Sequence, residues 1–331
     1  MISKYKIIII ILLVNISFIY PATNASSAES FQEWIIKYKT YAYDKGVSKK
    51  TIDEVFKNIK FIDKVIKYDR QQPEFFEDTL TYVSKRANKS RKIKAKKLLI
   101  EYKDLFNDVE KKFSVEKEIL TSLWAIETNF GKHVGKMDIL SCLATLSFDK
   151  RRSKFFSSQL LTLLLLIDKK LIDKKSLYGS WAGAYGNFQF MPSTIKNYAI
   201  DYDGNGKIEL KSSIKDSLAS AANYINKIGW KMNEPCFYRV KLNNKIKKKY
   251  INISARNITN RMKISYWKKN GVVNFDGSKL SKNNKAALIS PDNNPDSPSY
   301  LVFQNYEKIL KWNRSLRFAI SVCTLANMIK T

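Results

Sequence analysis

From residue 29 onward, apolar residues recur mostly every three or four positions, the period of helices that bury one face. "FQEWIIKYKTYAYDKG" (31–46) reads as a basic-faced helix stopped by Gly46, and "SKKTIDEVFKNI" (48–59) opens on a Ser48 cap. "QQPEFFEDTLTYVSKR" (71–86) predicts a further helix, with Pro73 near its first turn and acids behind it. Between 114 and 229 the helical pattern continues, interrupted by glycines and loops. From 236 to 300 the period shortens. "FYRVKL" and "YINIS" read as short strands, and "SPDNNPDSPSY" is a turn-rich connection. "NYEKILKWNRSLRFAISVCTLANMI" (305–329) then returns as an amphipathic helix. The pattern predicts an α+β fold, predominantly α-helical. It divides into a helical N-terminal lobe (29–110), a core (111–235), a small strand-rich lobe (236–300) and a closing C-terminal helix (301–331). No internal repeat is visible.

Residues 1–28 stand apart. Lys4 and Lys6 precede an apolar run from Ile7 to Tyr20, broken only by Asn15 and Ser17, and small residues follow in "PATNASSAES". That is the layout of a secretory signal peptide, with Ala25 or Ala28 as cleavage points, and the run is short for a membrane span of ~20 residues. An uncleaved anchor is the competing reading. No cysteine follows the run, which argues against a lipid anchor. The expected location is the periplasm, reached by export.

The remaining chain is long enough for a sizeable core. Over the full sequence, 59 Lys and Arg against 30 Asp and Glu give a formal charge of +29. A basic surface suits an anionic polymer such as nucleic acid, acidic lipid or cell-wall glycan; a general abundance of Lys, Ile and Asn explains it equally well. Export and the lack of a nucleic-acid motif argue against nucleic acid. Cys142, Cys236 and Cys323 show no metal spacing, and an odd number leaves at least one unpaired. A single histidine, His133, excludes a multi-histidine metal centre.

One carboxylate is out of place. In "SVEKEILTSLWAIETNFG" (114–131), Val115, Ile119, Leu123 and Ile126 form an apolar stripe. Glu127 follows Leu123 by four residues and lies on that stripe, in or near the last turn before Gly131. Burial and the negative end of the helix dipole both disfavour its charged form, keeping a proton available near neutrality as a general acid needs. The bland alternative is a Glu that swings to solvent or pairs with one of many lysines. Downstream, "YGSWAGAYGNFQFMPST" (178–194) sets three glycines and several aromatics around Gln189, ahead of a helix begun near Pro192 and Ser193. Glycines there allow close backbone approach to a ligand, and Trp181, Tyr185 and Phe188 offer faces to sugar rings. An ordinary glycine-rich turn would look the same.

The segments "AIETNFGKHVGKMDILSCLATLSFDKRRSKFF", "GSWAGAYGNFQFMPST", "DYDGNGKIEL…SLASAANYI" and "LVFQNYEKILKWNRS" together resemble the membrane-bound lytic murein transglycosylase B family. The likeness spans roughly residues 30 to 331. It implies a lysozyme-like catalytic core. It also implies cleavage of the β-1,4 bond between N-acetylmuramic acid and N-acetylglucosamine, with a 1,6-anhydro product. By resemblance Glu127 is the only catalytic carboxylate, first acid and then base. A two-carboxylate glycosidase would place a second acid about 5–9.5 Å away. Asp138 and Asp149 are near in sequence but belong to no family motif. The resemblance also puts Ser180 and Gln189 beside the acid, Arg151 and Arg152 on the acidic stem peptide, and Tyr224, Tyr82 and Asn313 in the cleft. Arginine suits carboxylates through bidentate hydrogen bonds. Trp312, where the family often has Tyr, together with Tyr185 and Asn187, departs from the commoner pattern.

"DYDGNGKIEL" places Asp201, Asp203, Asn205 and Gly206 at positions 1, 3, 5 and 6 of an EF-hand-like calcium loop, with the Lys207 carbonyl at 7. Position 12 is Ser212 rather than Glu. Some family members close the site slightly later with an Asp, here Asp216. Locally, Ser213 and Asp216 also fit a helix-capping box, and the segment could be a metal-free turn. Structural Ca2+ is the expected cofactor, with none for catalysis. The expected partners are peptidoglycan glycan strands and cell-wall synthesis or hydrolysis complexes, with the chain a monomer. Competing functions are a lysozyme-type hydrolase and a non-catalytic wall-binding scaffold.

Overall fold

The computed structural model describes residues 29–71, 77–242, 246–278, 280 and 284–331. The leader and Pro73 lie outside them. The chain begins with α1 (Phe31–Asp44), α2 (Lys49–Phe56) and α3 (Asp63–Arg70). Ser30 and Glu33 form a complete capping box on α1, Gly46 turns the chain at φ +90°, and Ser48 caps α2 as its sequence position predicts. Asp78 caps α4 (Thr79–Arg86). Next come α5 (Lys89–Glu101), α6 (Lys103–Phe113) and α7 (Lys117–Thr128).

α7 is buried from Ile119 through Ala125, and α5, α6, α11 (Ile214–Lys227) and α14 (Leu316–Lys330) all pack on it. A helix apolar nearly all round has to lie at the centre of its domain. Between α7 and α11 the chain forms α8 (Ile139–Phe148), α9 (Ser153–Asp168) and α10 (Pro192–Tyr198), the last with Pro at its start. The helices of 29–110 split between two neighbours: α1–α3 pack on α8 and α9, whereas α4 and α5 pack on α14. Among the described residues, no helix is long and apolar enough to cross a membrane.

The final stretch is two helices rather than one. α13 (Gln304–Trp312) stops at Asn313, whose backbone is extended (φ −136°, ψ 122°), and Ser315 caps α14. The asparagine and the Ser cap give the chain local hydrogen bonds outside the helix, which an amphipathic period alone does not register.

The strand-rich part holds an antiparallel pair, β1 (Met137–Asp138) with β2 (Tyr178–Gly179), and a larger sheet. That sheet contains β3 (Phe237–Leu242), β4 (Ile251–Asn252), β5 (Met262–Lys263), β6 (Val272–Asn274), β7 (Lys285–Ile289) and β8 (Ser299–Val302). Its order is β4-β7-β8-β3-β6, with β5 on β7, and α12 (Ile264–Lys269) packs beside it. Along β7 and β8 the side chains alternate between two cores. Ala286, Leu288 and Leu301 join a small cluster around Trp267, while Ala287, Ile289, Tyr300 and Val302 join the main helical core. A disulfide between Cys236 and Cys323, Cα atoms 6.2 Å apart, ties the start of β3 to α14. Cys142 is free and buried, and burial pushes its thiol up to about 12.

Candidate active site

The end of α7 is shaped by three successive left-handed residues: Asn129 (φ 50°), Phe130 (φ 59°) and Gly131 (φ 80°). Asn129 N–H donates to the Ala125 carbonyl at 3.0 Å and Phe130 N–H to that of Trp124 at 3.2 Å, closing the helix in the turn that carries Glu127. Gly131 is required twice over. Its φ favours glycine, and a Cβ there would lie 2.6 Å from Asn187 Oδ1. The Glu127 side chain is half-buried, consistent with its place on the stripe.

Asn187, 6% exposed, binds three segments together. Its Oδ1 accepts from Trp124 Nε1–H (3.2 Å), and its carbonyl accepts from the Thr128 hydroxyl (2.7 Å). Its side-chain nitrogen donates to the carbonyls of Leu210 and Lys211 and to Ser217 Oγ. The helix that carries the acid, the glycine-rich loop and the turn before α11 are therefore fixed by one buried amide. An amide so placed is costly to lose, because its partners would be left unsatisfied.

The glycine-rich loop is tight. A Cβ on Gly135 would lie 2.1 Å from the Gly179 carbonyl, so the two backbones touch. Gln189 sits at φ 50° and donates its side-chain amide to the carbonyls of Val134 (3.1 Å) and Gly186 (2.9 Å). Ser180 Oγ accepts from Ala184 N–H at 2.9 Å. Trp181 of this loop meets Tyr68 of α3 at 6.3 Å between ring centres.

Against the acid stands an aromatic wall from three helices and the glycine-rich loop. Trp312, the last residue of α13, donates its indole N–H to Glu127 Oε1 at 2.8 Å. Its ring stacks on Tyr224 (5.1 Å, 25°), which in turn stacks on Tyr198 (4.4 Å), and Phe190 approaches it edge-on at 5.3 Å. Tyr224 donates its hydroxyl to the Lys311 carbonyl, and burial pushes that hydroxyl up to about 12, so it is neutral at physiological pH. Sequence reasoning singled out Tyr224 and Asn313 but passed over Trp312 as a departure from pattern. Its contact with Glu127 crosses 185 positions of chain, which no local spacing encodes. Asn313 is half-buried next to it in extended backbone.

Other candidates are placed differently. Arg151 and Arg152 both pair with Asp69 of α3, whose side chain is 1% exposed, and Arg151 also donates to the Asp69 carbonyl. The pair thus joins α3 to the turn before α9, and two guanidiniums on one carboxylate leave a net positive charge. Tyr82 is 2% exposed in α4, with the Arg86 guanidinium 3.4 Å over its ring. It is packed as a core side chain rather than an open cleft wall. Asp138 caps α8 through Leu140 N–H and Ser141, and Asp149 pairs with Arg70 at 2.8 Å. Asp138 and Asp149, the two acids weighed as a second carboxylate, are thereby engaged elsewhere.

In the 201–216 loop, carboxylate oxygens of Asp201, Asp203 and Asp216 lie within 4.8 Å of one another. Asp216 is fully buried. Its N–H donates to Ser213 Oγ, and its carboxylate accepts from the N–H groups of Tyr202 and Glu209 at 2.9 Å each. Ser213 therefore caps α11, but the Asp216 carboxylate turns to the loop's N–H groups instead of completing a capping box, and lies beside Asp201 and Asp203. Asp201 accepts from the N–H groups of Gly204, Asn205 and Gly206, the winding of a calcium-type loop. Three convergent carboxylates form a hard, oxygen-rich donor set suited to Ca2+. Asn205 Oδ1 accepts from Lys207 N–H at 2.9 Å.

A mostly helical body, a helix-terminal acid and a glycine-rich loop facing an aromatic wall define a lysozyme-like protein. Residues 30–327 match the family model described as "Transglycosylase SLT domain", and the chain belongs to that family. It is 42% identical over 131 residues to membrane-bound lytic murein transglycosylase B of Escherichia coli K12, an alignment covering 39% of this chain and 36% of that protein. The match thus spans about a third of that relative's length. The fold is similar to SltB3 of Pseudomonas aeruginosa, solved in complex with NAG-NAM-pentapeptide. That TM-score is 0.83 at 30% identity, covering 91% of this chain and 80% of SltB3. It is also similar to the lytic transglycosylase Slt35 of Escherichia coli in complex with calcium. There the TM-score is 0.76 at 26% identity, covering 89% and 92% of the two chains.

Proposed function

We propose that this protein is a peptidoglycan lytic transglycosylase in which Glu127 works alone. The observation that carries the reading is the acid itself: half-buried at a helix end, held by Trp312, with Asp138 and Asp149 committed to other partners. Trp312 N–H holds Oε1 as a hydrogen-bond acceptor, and in this reading the proton is delivered from Oε2. Glu127 Oε2 protonates the glycosidic oxygen as the C1–O4 bond breaks. The carboxylate then takes the proton of the muramic acid 6-hydroxyl as O6 bonds to C1, which closes the 1,6-anhydro ring and restores the acid. As the proton leaves, negative charge spreads onto Oε1 and the indole hydrogen bond strengthens, which is where it aids the reaction.

Ser180, Gln189, Tyr224 and Asn313 are the proposed glycan contacts. The residual positive charge of Arg151 and Arg152 suits the acidic stem peptide. SltB3 has been solved with NAG-NAM-pentapeptide and with NAG-anhNAM-pentapeptide, ligands of this class. Ca2+ held by Asp201, Asp203, Asn205, the Lys207 carbonyl and Asp216 would neutralise the three acids and brace the loop between Gln189 and Tyr224. The proposed location is the periplasm, and the proposed domain boundaries are those read from the sequence, with the last segment divided at Asn313.

Mass spectrometry of muropeptides released from purified walls tests the function. The expected products end in 1,6-anhydro-muramic acid, and Glu127→Gln abolishes their release. Reducing muramic acid ends would instead identify a hydrolase, and undiminished wall binding with no cleavage by the unmodified protein would identify a scaffold.

A further inference from the structure

One crevice is built of groups that the site above does not use. β3 alternates, so Val240 faces the small core while Arg239 and Lys241 lie on the opposite face. The turn after β6 brings Phe275 beneath both: the Arg239 guanidinium carbon lies 3.7 Å, and Lys241 Nζ 4.9 Å, from the ring centre. Leu80 of α4 and Pro295 and Pro298 complete an open crevice of about 300 Å³, with Ser297 and Asp296 also lining it. Asp292 fixes these walls against one another, accepting from Thr79 N–H and hydroxyl and from Arg317.

Arg239 is unusual in this chain. Three arginines bury Nε without an acceptor among the described residues: Arg91, Arg152 and Arg239. Arg91 uses its other nitrogens on the carbonyls of Lys85 and Arg86, and Arg152 uses its own on Asp69. Arg239 has no acceptor for any guanidinium nitrogen among the described residues, and Asp296 does not pair with it. A guanidinium laid on a ring, with an ammonium on the same ring and no carboxylate of its own, is pre-organised for an external one. The neighbouring leucine and prolines suit small alkyl groups better than a bare hydrated ion.

We propose that this crevice binds a carboxylate-bearing peptide with small apolar side chains, its carboxylate bidentate on Arg239 and assisted by Lys241. The source of such a peptide, the stems of a neighbouring wall strand, rests on the proposed function; the affinity for the carboxylate does not.

The test is an NMR titration of the full chain that follows the Arg239 Nε–H signal. The probes are acetyl-Ala-Ala with a free carboxylate, the same dipeptide as its amide, and inorganic phosphate. The free acid is expected to saturate, with the amide and phosphate weaker by about tenfold or more, and Arg239→Gln to lose a similar factor as read from backbone amide shifts. Circular dichroism checks that the variant folds, and Lys241→Gln, at an exposed position, replaces it if it does not, with an expected loss of about threefold. Equal binding of acid and amide, or of the acid to the unmodified and substituted proteins, overturns the proposal. Phosphate binding as tight as the acid overturns the peptide assignment. Cleavage of peptide-free glycan should be unchanged in Arg239→Gln, so a failure of cleavage in the unmodified protein would count against the proposed function alone.

Discussion

Trp312→Phe isolates the hydrogen bond on the acid. Phenylalanine keeps a ring against Tyr224 and Phe190 but removes the indole N–H that lies 2.8 Å from Glu127 Oε1. A hydrogen bond to a charged group contributes about 1.5–3 kcal/mol. This one acts most strongly once Glu127 has given up its proton, so its loss falls on the barrier rather than on binding. With about 1.4 kcal/mol per tenfold in rate, kcat should drop roughly 10- to 100-fold while KM stays nearly constant. Initial rates of anhydromuropeptide release over a range of glycan concentrations give both constants. Trp312→Tyr, which offers a hydroxyl donor from a shorter ring, should retain more activity than Phe. A melting curve for each variant separates chemistry from packing. A Trp312→Phe enzyme within twofold of the original kcat, or one that loses only KM, refutes the assignment of Oε1 as the held oxygen.

Three further outcomes are expected. Cys236→Ser with Cys323→Ser should lower stability in urea unfolding by about 4–5 kcal/mol, because the bridge closes a separation of 87 residues; an unchanged midpoint would mean that the disulfide does not form. Ca2+ at about a hundredfold its Kd should stabilise by roughly 2.7 kcal/mol, a rise of several degrees in Tm. Asp203→Asn should remove most of that rise with little effect on the metal-free Tm, since among the described residues Asp203 accepts only from Ser213. Asp292 is raised by burial, but the hydrogen bonds from Thr79 and Arg317 outweigh this and hold its carboxyl below the usual range. Its stabilisation is therefore present above the ordinary Asp value and is lost as pH falls through the depressed one. Chemical unfolding below about pH 4 should show that loss in the unmodified protein and a flatter profile in Asp292→Asn.

Helix starts were the most legible part of the fold, because Ser48 and Ser213 act on backbone groups three residues away. Glu127 was legible for a related reason, since its stripe and its terminating glycine lie within one helix and the few residues flanking it. What escaped notice was long-range. The period of 305–329 runs on through Asn313, so the break that ends α13 on Trp312 is invisible to periodicity. Arg151 and Arg152 could be matched to carboxylate recognition, but their partner Asp69 is some 82 positions away and offers no local signal. Asn187 looked like a family variation until its amide was seen to join three segments. The strand at 237–242 was readable from its alternation, whereas β7 is apolar on both faces and carries no period to read.

That two-sided burial bears on mechanics. Lifting the strand-rich part away from the helices would bare Ala287, Ile289, Tyr300 and Val302, which the main core covers. Roughly 400 Å² of apolar surface would meet water at a cost of about 10 kcal/mol, leaving an opened form at about one molecule in ten million. The sheet therefore cannot serve as a flap. Its crevice, which Leu80 of α4 also lines, therefore keeps a fixed distance from Glu127, and a ligand reaching both must fit that spacing as it stands.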